Sequence, residues 1–343
     1  MKKALLLLVK LCLTGLCLGW ALHEVDWNSS IFSNPGSLAW RWALPGVALA
    51  GLTAVMTAAR LWLLLGAQGI RISLMRAVEL TLIGNLFNLA AVGGIGGDAV
   101  RIFLLIRDHP ERKLAVTITV LFDHLVGLVA MSLVFYALTA GRFDALASQS
   151  PETRGMLRFA WMFFTGGLVM VLSMFVVSYP PIHDRIHARG RHWKIAFMRQ
   201  LPLVYDVYRR KWRQGLVALA VAMAMLPVYY ATFWCGARLA GSDVAPGPVL
   251  TAMPVVDMLS ALPLSVAGLG VREASLKILM EDLTGMPPDV AVASSLVGFV
   301  FTLVWAIPGA LLFLKTGGRS AMTEIRKLEE EDAVKDGDEG VAS

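Results

Sequence analysis

Charge is scarce in this chain of 343 residues: only 16% are Asp, Glu, Lys or Arg. Soluble domains carry about 25%, so a surface facing mainly water is excluded. Cysteine is scarce too. Cys12, Cys17 and Cys235 fall in apolar runs at no metal-ligand spacing, which excludes a disulfide framework and a thiolate zinc centre. There is no Gly-Lys-Ser/Thr phosphate loop, so ATP is not indicated. His183, His187 and His192 lie among arginines, a setting that disfavours a metal ion. No cofactor and no metal are expected.

What the chain has instead is length without charge. Six apolar runs, at about 4–22, 41–66, 114–140, 157–179, 215–240 and 290–314, reach the ~20 residues needed to cross a bilayer. The fold class is therefore an all-α polytopic membrane protein. The first run is longer than the core of a signal peptide and contains Lys10, so it is read as a spanning helix.

The charge that remains sets the topology. Lys2 and Lys3 place the N-terminus in the cytoplasm. The loop from His23 to Trp40 holds Glu24 and Asp26 and no cation, as an outside loop should. Arg71 and Arg76 mark the return. The connection from Ile182 to Gln214 alone exceeds the chain's net positive excess of +6, with Arg185, Arg189, Lys194 and Arg209 among its cations. In a chain of spanning runs this is a cytoplasmic loop, not a nucleic-acid surface.

Two stretches do not fit as single spans. Residues 74–107 begin and end beside cations and are divided by Gly93-Gly94-Ile95-Gly96-Gly97-Asp98. Residues 248–282 are divided by Gly268-Leu269-Gly270. Both are expected to be re-entrant helical hairpins, the first entering from the cytoplasm and the second from outside. The chain then reads span, hairpin, span twice, at about 41–140 and 215–314, in opposite orientation. That is the inverted-repeat logic of many transporters. Residues 1–315 form one domain. The tail 316–343 is polar and acidic, is expected to be disordered, and ends in the cytoplasm.

Broken backbone and cations at bilayer depth are costly and seldom lack a use. In the first turn Gly94, Gly96 and Gly97 would let a headgroup approach the backbone. The half-helix that follows opens near Asp98 and Arg101, where its N–H groups and a guanidinium suit a phosphate. Asp98 either caps that helix or holds Arg101. The second turn repeats the design with Gly268, Gly270, Arg272 and Glu273. Glu273 caps its helix, pairs with Arg272 or titrates. Asn85 and Asn88 on one hairpin, and Asp257 and Ser260 on the other, either line a wet cavity or bridge helices. Asp123-His124 within a span either pair with Arg101 or Arg107 or relay protons. Arg60 and Glu79 are expected to snorkel near the cytoplasmic ends. Gly94-x-Gly96-x-x-Ala99 follows no strand and is not a dinucleotide fingerprint.

The run Gly93 to Arg101, then Asp123, then Pro263 to Glu273 (PLSVAGLGVRE), resembles the flippase-like transmembrane domain of lysylphosphatidylglycerol synthetases. The resemblance covers about 1–315. It implies a protein of the bacterial inner membrane that moves or handles lipids or lipid-linked groups, with an anionic headgroup as ligand and a lipid-modifying enzyme as a possible partner. Some relatives are associated with hopanoid or glycolipid pathways. Two positions depart from the family pattern. Asp123-His124 stands where Asp-Arg is usual, and Val92 stands where a proline is usual. The soluble aminoacyl-transferring domain is absent, so lysine transfer is not implied. The expectation is transport rather than catalysis. A transferase acting on a lipid-linked sugar, or an accessory subunit, are the alternatives.

Overall fold

The computed structural model describes residues 12, 14–16, 18–23, 36, 38–90, 96–141, 143–177, 179, 181, 210–262 and 265–315. Most of the expected first span, the basic connection and the tail lie outside the described residues, as do Gly94 and Pro263. Among the described residues every regular element is a helix.

In chain order these are α1 (Ala43–Ala67), α2 (Leu74–Ala90), α3 (Gly96–Asp108), α4 (Lys113–Thr139), α5 (Phe143–Ala147), α6 (Pro151–Val177), α7 (Trp212–Leu239), α8 (Pro246–Ala261), α9 (Val271–Thr284), α10 (Pro288–Val304) and α11 (Ala306–Lys315). Proline opens α6, α8 and α10, where its missing N–H costs nothing and its fixed φ fits the first turn. Five helical stretches among the described residues are long and apolar enough to cross a membrane: Trp40–Ala67, Pro110–Thr139, Pro151–Val176, Trp212–Leu239 and Pro288–Lys315. The protein is an all-α, multi-pass membrane protein.

The last of these stretches was expected as one helix and is instead divided at Trp305. Pro308 has no N–H to offer the Val304 carbonyl, so the ladder lapses there. The Trp305 indole Nε1 donates to the Val47 carbonyl at 2.9 Å, pinning the break to α1.

The arms α2, α3, α8 and α9 have 17, 13, 16 and 14 residues. At about 1.5 Å per residue, each is about 20–25 Å long, short of the ~30 Å hydrocarbon layer. α2 packs on α3, and α8 on α9, as helical hairpins. The open end of the first is clipped by Arg76, whose Nη2 lies 2.8 Å from Asp108 Oδ2 and whose Nη1 lies 2.9 Å from Glu79 Oε2. Glu79 therefore belongs to this clip.

Packing between the two halves is reciprocal. α1 lies against α7; α7 lies against α4 and α1 against α10; α8 packs on α4 and α2 on α11. Each hairpin thus leans on the closing helix of the opposite half. Small residues permit this closeness. A Cβ at Gly309 of α11 would strike the Leu82 carbonyl of α2.

Candidate functional site

In the first hairpin, the Gly97 N–H donates to Asn88 Oδ1 at 2.9 Å. A side chain at 97 would collide with the Gly84 carbonyl oxygen and the Asn88 amide. Gly97 is therefore a seat for α3 on α2, not the open approach for a headgroup that the sequence suggested. Gly96 opens α3.

Arg101 is 7% exposed. Its Nη1 lies 3.1 Å from Asp98 Oδ1, and its Nη2 donates to Asn85 Oδ1 at 3.0 Å and to the Thr81 carbonyl at 3.4 Å. Among the described residues only Nε lacks a partner. The guanidinium crosses α2 over Gly84, where any Cβ would meet it. Arg101 thus staples the two arms together, and Asp98 is its counter-ion. The other oxygen of Asp98, Oδ2, is 2.8 Å from His124 Nε2.

Asp123 does not pair with Arg101 or Arg107. It receives two hydrogen bonds from Arg60, Nε to Oδ1 at 2.6 Å and Nη2 to Oδ2 at 2.8 Å. Arg60 is 7% exposed and does not snorkel. It sits 18 residues into α1 with apolar residues on both sides. Burial there demands a carboxylate partner, and an arginine this deep in an apolar helix is the sequence signal for one.

The second hairpin turns through three left-handed residues, Ala267 (φ 53°), Gly268 (φ 74°) and Gly270 (φ 83°). Glycine adopts this region freely, and alanine only under strain. Glu273 is fully buried. Its Oε2 accepts from the Gly270 N–H at 2.6 Å and its Oε1 from Ser295 Oγ at 2.7 Å. Of the three roles open to Glu273, the structure gives the cap; it is not paired with Arg272.

Arg272 differs from Arg101. It is 8% exposed, and its Nη2 donates to the Ala267 carbonyl at 2.8 Å. Its guanidinium lies 4.7 Å from the Phe299 ring centre. Among the described residues Nη1 has no partner and no carboxylate comes within 4.0 Å of it. A buried guanidinium N–H without an acceptor is costly unless something arrives to accept from it.

Both hairpins face one cavity of about 680 Å³. Its polar lining comes from Asn85 and Asn88 of α2, His124 of α4, Arg60 of α1, and Asp257, Ser260, Gly268 and Arg272 of the second hairpin. Met131, Met225, Phe299 and Trp305 form apolar parts of the wall. Tyr229 and Asp257 both line the cavity. α2 also touches the Val266–Gly268 turn, so the hairpins meet. The structure therefore brings Asp257, His124, Gly268 and Arg272 to one space. Gly96, Gly97, Asp98, Arg101, Asp123, Gly270 and Glu273 do not line it. Arg60 and Tyr229 are lining residues that the sequence reading did not assign to a site.

Among the described residues no group of three His, Cys, Asp or Glu side chains is placed to hold a metal ion. The cavity wall combines these polar groups with one guanidinium, Arg272, that has no carboxylate at hydrogen-bond distance among the described residues. The family model described as lysylphosphatidylglycerol synthase TM region matches residues 7–309. The chain has no match among curated proteins. With that match spanning most of its length, the chain belongs to the lysylphosphatidylglycerol synthase TM-region family.

Proposed function

We propose that this member of the lysylphosphatidylglycerol synthase TM-region family moves a lipid bearing an anionic, phosphate-containing headgroup across the membrane. The hairpins are re-entrant, the first from the cytoplasm and the second from outside. The two halves are inverted repeats. The headgroup lies in the cavity between them, on Arg272, with Asn88 and Ser260 as further polar contacts. Arg101, Asp98, Gly97 and Glu273 hold the hairpins in shape. Rocking of one half against the other changes which side the cavity faces. The protein acts in the bacterial inner membrane with both termini in the cytoplasm, alone or beside an enzyme that modifies the same lipid.

One observation carries this reading: a buried guanidinium with an unpaired N–H faces a cavity at the meeting point of two arms too short to span. A phosphate is a natural acceptor for it. The test is purified protein in vesicles with a headgroup-labelled anionic phospholipid. Arg272→Ala should slow movement about tenfold to a hundredfold, the equivalent of ~1.5–3 kcal/mol for one charge-assisted hydrogen bond. Arg272→Lys should recover part of it. Equal movement in wild type and Arg272→Ala would remove Arg272 from the site. Conversion of the lipid to a new product would favour a membrane-embedded transferase instead.

A further inference from the structure

His124 is the group on the cavity wall whose ordinary protonation falls between pH 5 and 8. Its side chain is 60% exposed, and it lines the same cavity as Arg272. One ring nitrogen, Nε2, is held 2.8 Å from Asp98 Oδ2. The other, Nδ1, has no partner among the described residues. Asp98 is acceptor-only when ionised, so in the neutral ring the proton belongs on Nε2. Nδ1 then presents a lone pair.

Charges around the ring come from every side. Asp98 and Arg101 reach it from α3, Asp123 adjoins it on α4, and Arg60 faces the cavity from α1. Asp257 faces the cavity from α8, Tyr229 from α7 and Arg272 from α9. The cations Arg60 and Arg101 each already hold a carboxylate within 3.1 Å. Arg272 is thus the fixed cation on this wall without a carboxylate at hydrogen-bond distance, and the imidazole is the group that can add a second.

We infer that His124 couples proton uptake to headgroup binding: one proton from cavity water adds to Nδ1 as the anionic headgroup settles on Arg272, and leaves when the headgroup leaves. The step is a simple protonation. A hydronium ion in the cavity gives up one O–H bond and becomes water, the Nδ1–H bond forms, and the Nε2–H bond to Asp98 stays in place. The imidazolium adds a positive charge to the cavity wall that His124 lines, so it favours an anion there. By reciprocity the anion favours the proton to the same degree. The inference rests on the headgroup site proposed above and adds its co-transported ion.

The experiment uses the full chain in detergent with a short-chain phosphatidylglycerol as probe. Binding should be about tenfold tighter at pH 6 than at pH 8, within the usual range for coupled sites. Calorimetry in buffers of different ionisation enthalpy at pH 7.5 should register uptake of a substantial fraction of one proton per lipid. His124→Arg should bind tightly at both pH values, and His124→Gln weakly at both, each with proton uptake near zero. The two variants differ in charge, so agreement of both with this pattern separates coupling from mere loss of the fold. Wild-type binding with a flat pH profile, or with no proton uptake, overturns the inference and leaves the headgroup site standing. Absence of binding by every form at both pH values overturns both.

Discussion

Arg60 of α1 grips Asp123 of α4 through two parallel hydrogen bonds of 2.6 and 2.8 Å. Both residues are more than nine-tenths buried. This pair joins the first and third elements of one half across the hairpin between them. Its neighbour in sequence, His124, reaches that hairpin through Asp98. One turn of α4 therefore holds the half together from both sides.

Removing one partner of a buried pair strands the other. Arg60→Ala or Asp123→Ala should each destabilise the protein by about 3–5 kcal/mol. The double change Arg60→Met with Asp123→Leu should recover most of that loss. Thermal melting in detergent measures it. Single variants that melt like wild type would show that the pair is not as buried as described.

Gly97 should tolerate no side chain. Gly97→Val forces apart α2 and α3 at the Gly84 carbonyl, at a cost of about 1–3 kcal/mol. Gly155→Val is the control, because a side chain at Gly155 meets nothing within 4 Å. A Gly97→Val protein as stable as the control would contradict the packing of the first hairpin.

Much of this arrangement was legible in the sequence, for identifiable reasons. The breaks in hydrophobicity at Gly93 to Asp98 and at Gly268 to Gly270 placed the hairpins within a few residues: α2 and α3 run from Leu74 to Asp108, and α8 and α9 from Pro246 to Thr284. Length and charge suffice for that, because a bilayer imposes both. Side-chain partners were less legible. The two arginines after the turns look alike in sequence, yet Arg101 is held by Asp98 and Asn85 while Arg272 retains an unpaired N–H. Only the crossing of α3 over Gly84 decides this. Likewise, the 63 residues between Arg60 and Asp123 conceal a contact that depends on how α1 and α4 pack. Gly97 reads as a ligand approach in the sequence because a sequence cannot distinguish a gap filled by a headgroup from one filled by a neighbouring helix.

Glu273 belongs to the fold. Glu273→Ala leaves the Gly270 N–H and the Ser295 hydroxyl without their acceptor, a loss of about 1–3 kcal/mol for each buried group. Glu273→Gln retains one acceptor oxygen and should lose less. Lipid affinity per folded molecule should be unchanged in both, as measured by binding to the monodisperse fraction. A Glu273→Gln protein of full stability but weakened affinity would place this carboxylate against the headgroup.

The proposed transport requires two hairpins that enter from opposite faces and meet at a shared cavity, and cysteine accessibility tests that most directly. With Cys12, Cys17 and Cys235 replaced by alanine, single cysteines are placed at Ser73, Arg107, Ala245 and Thr284 and exposed to a membrane-impermeant maleimide in intact and in opened cells. The expected result is that positions 73 and 107 react only when the cytoplasm is opened, and positions 245 and 284 react in intact cells. Labelling of 73 and 107 from different sides would make the first hairpin a pair of crossings and contradict the account.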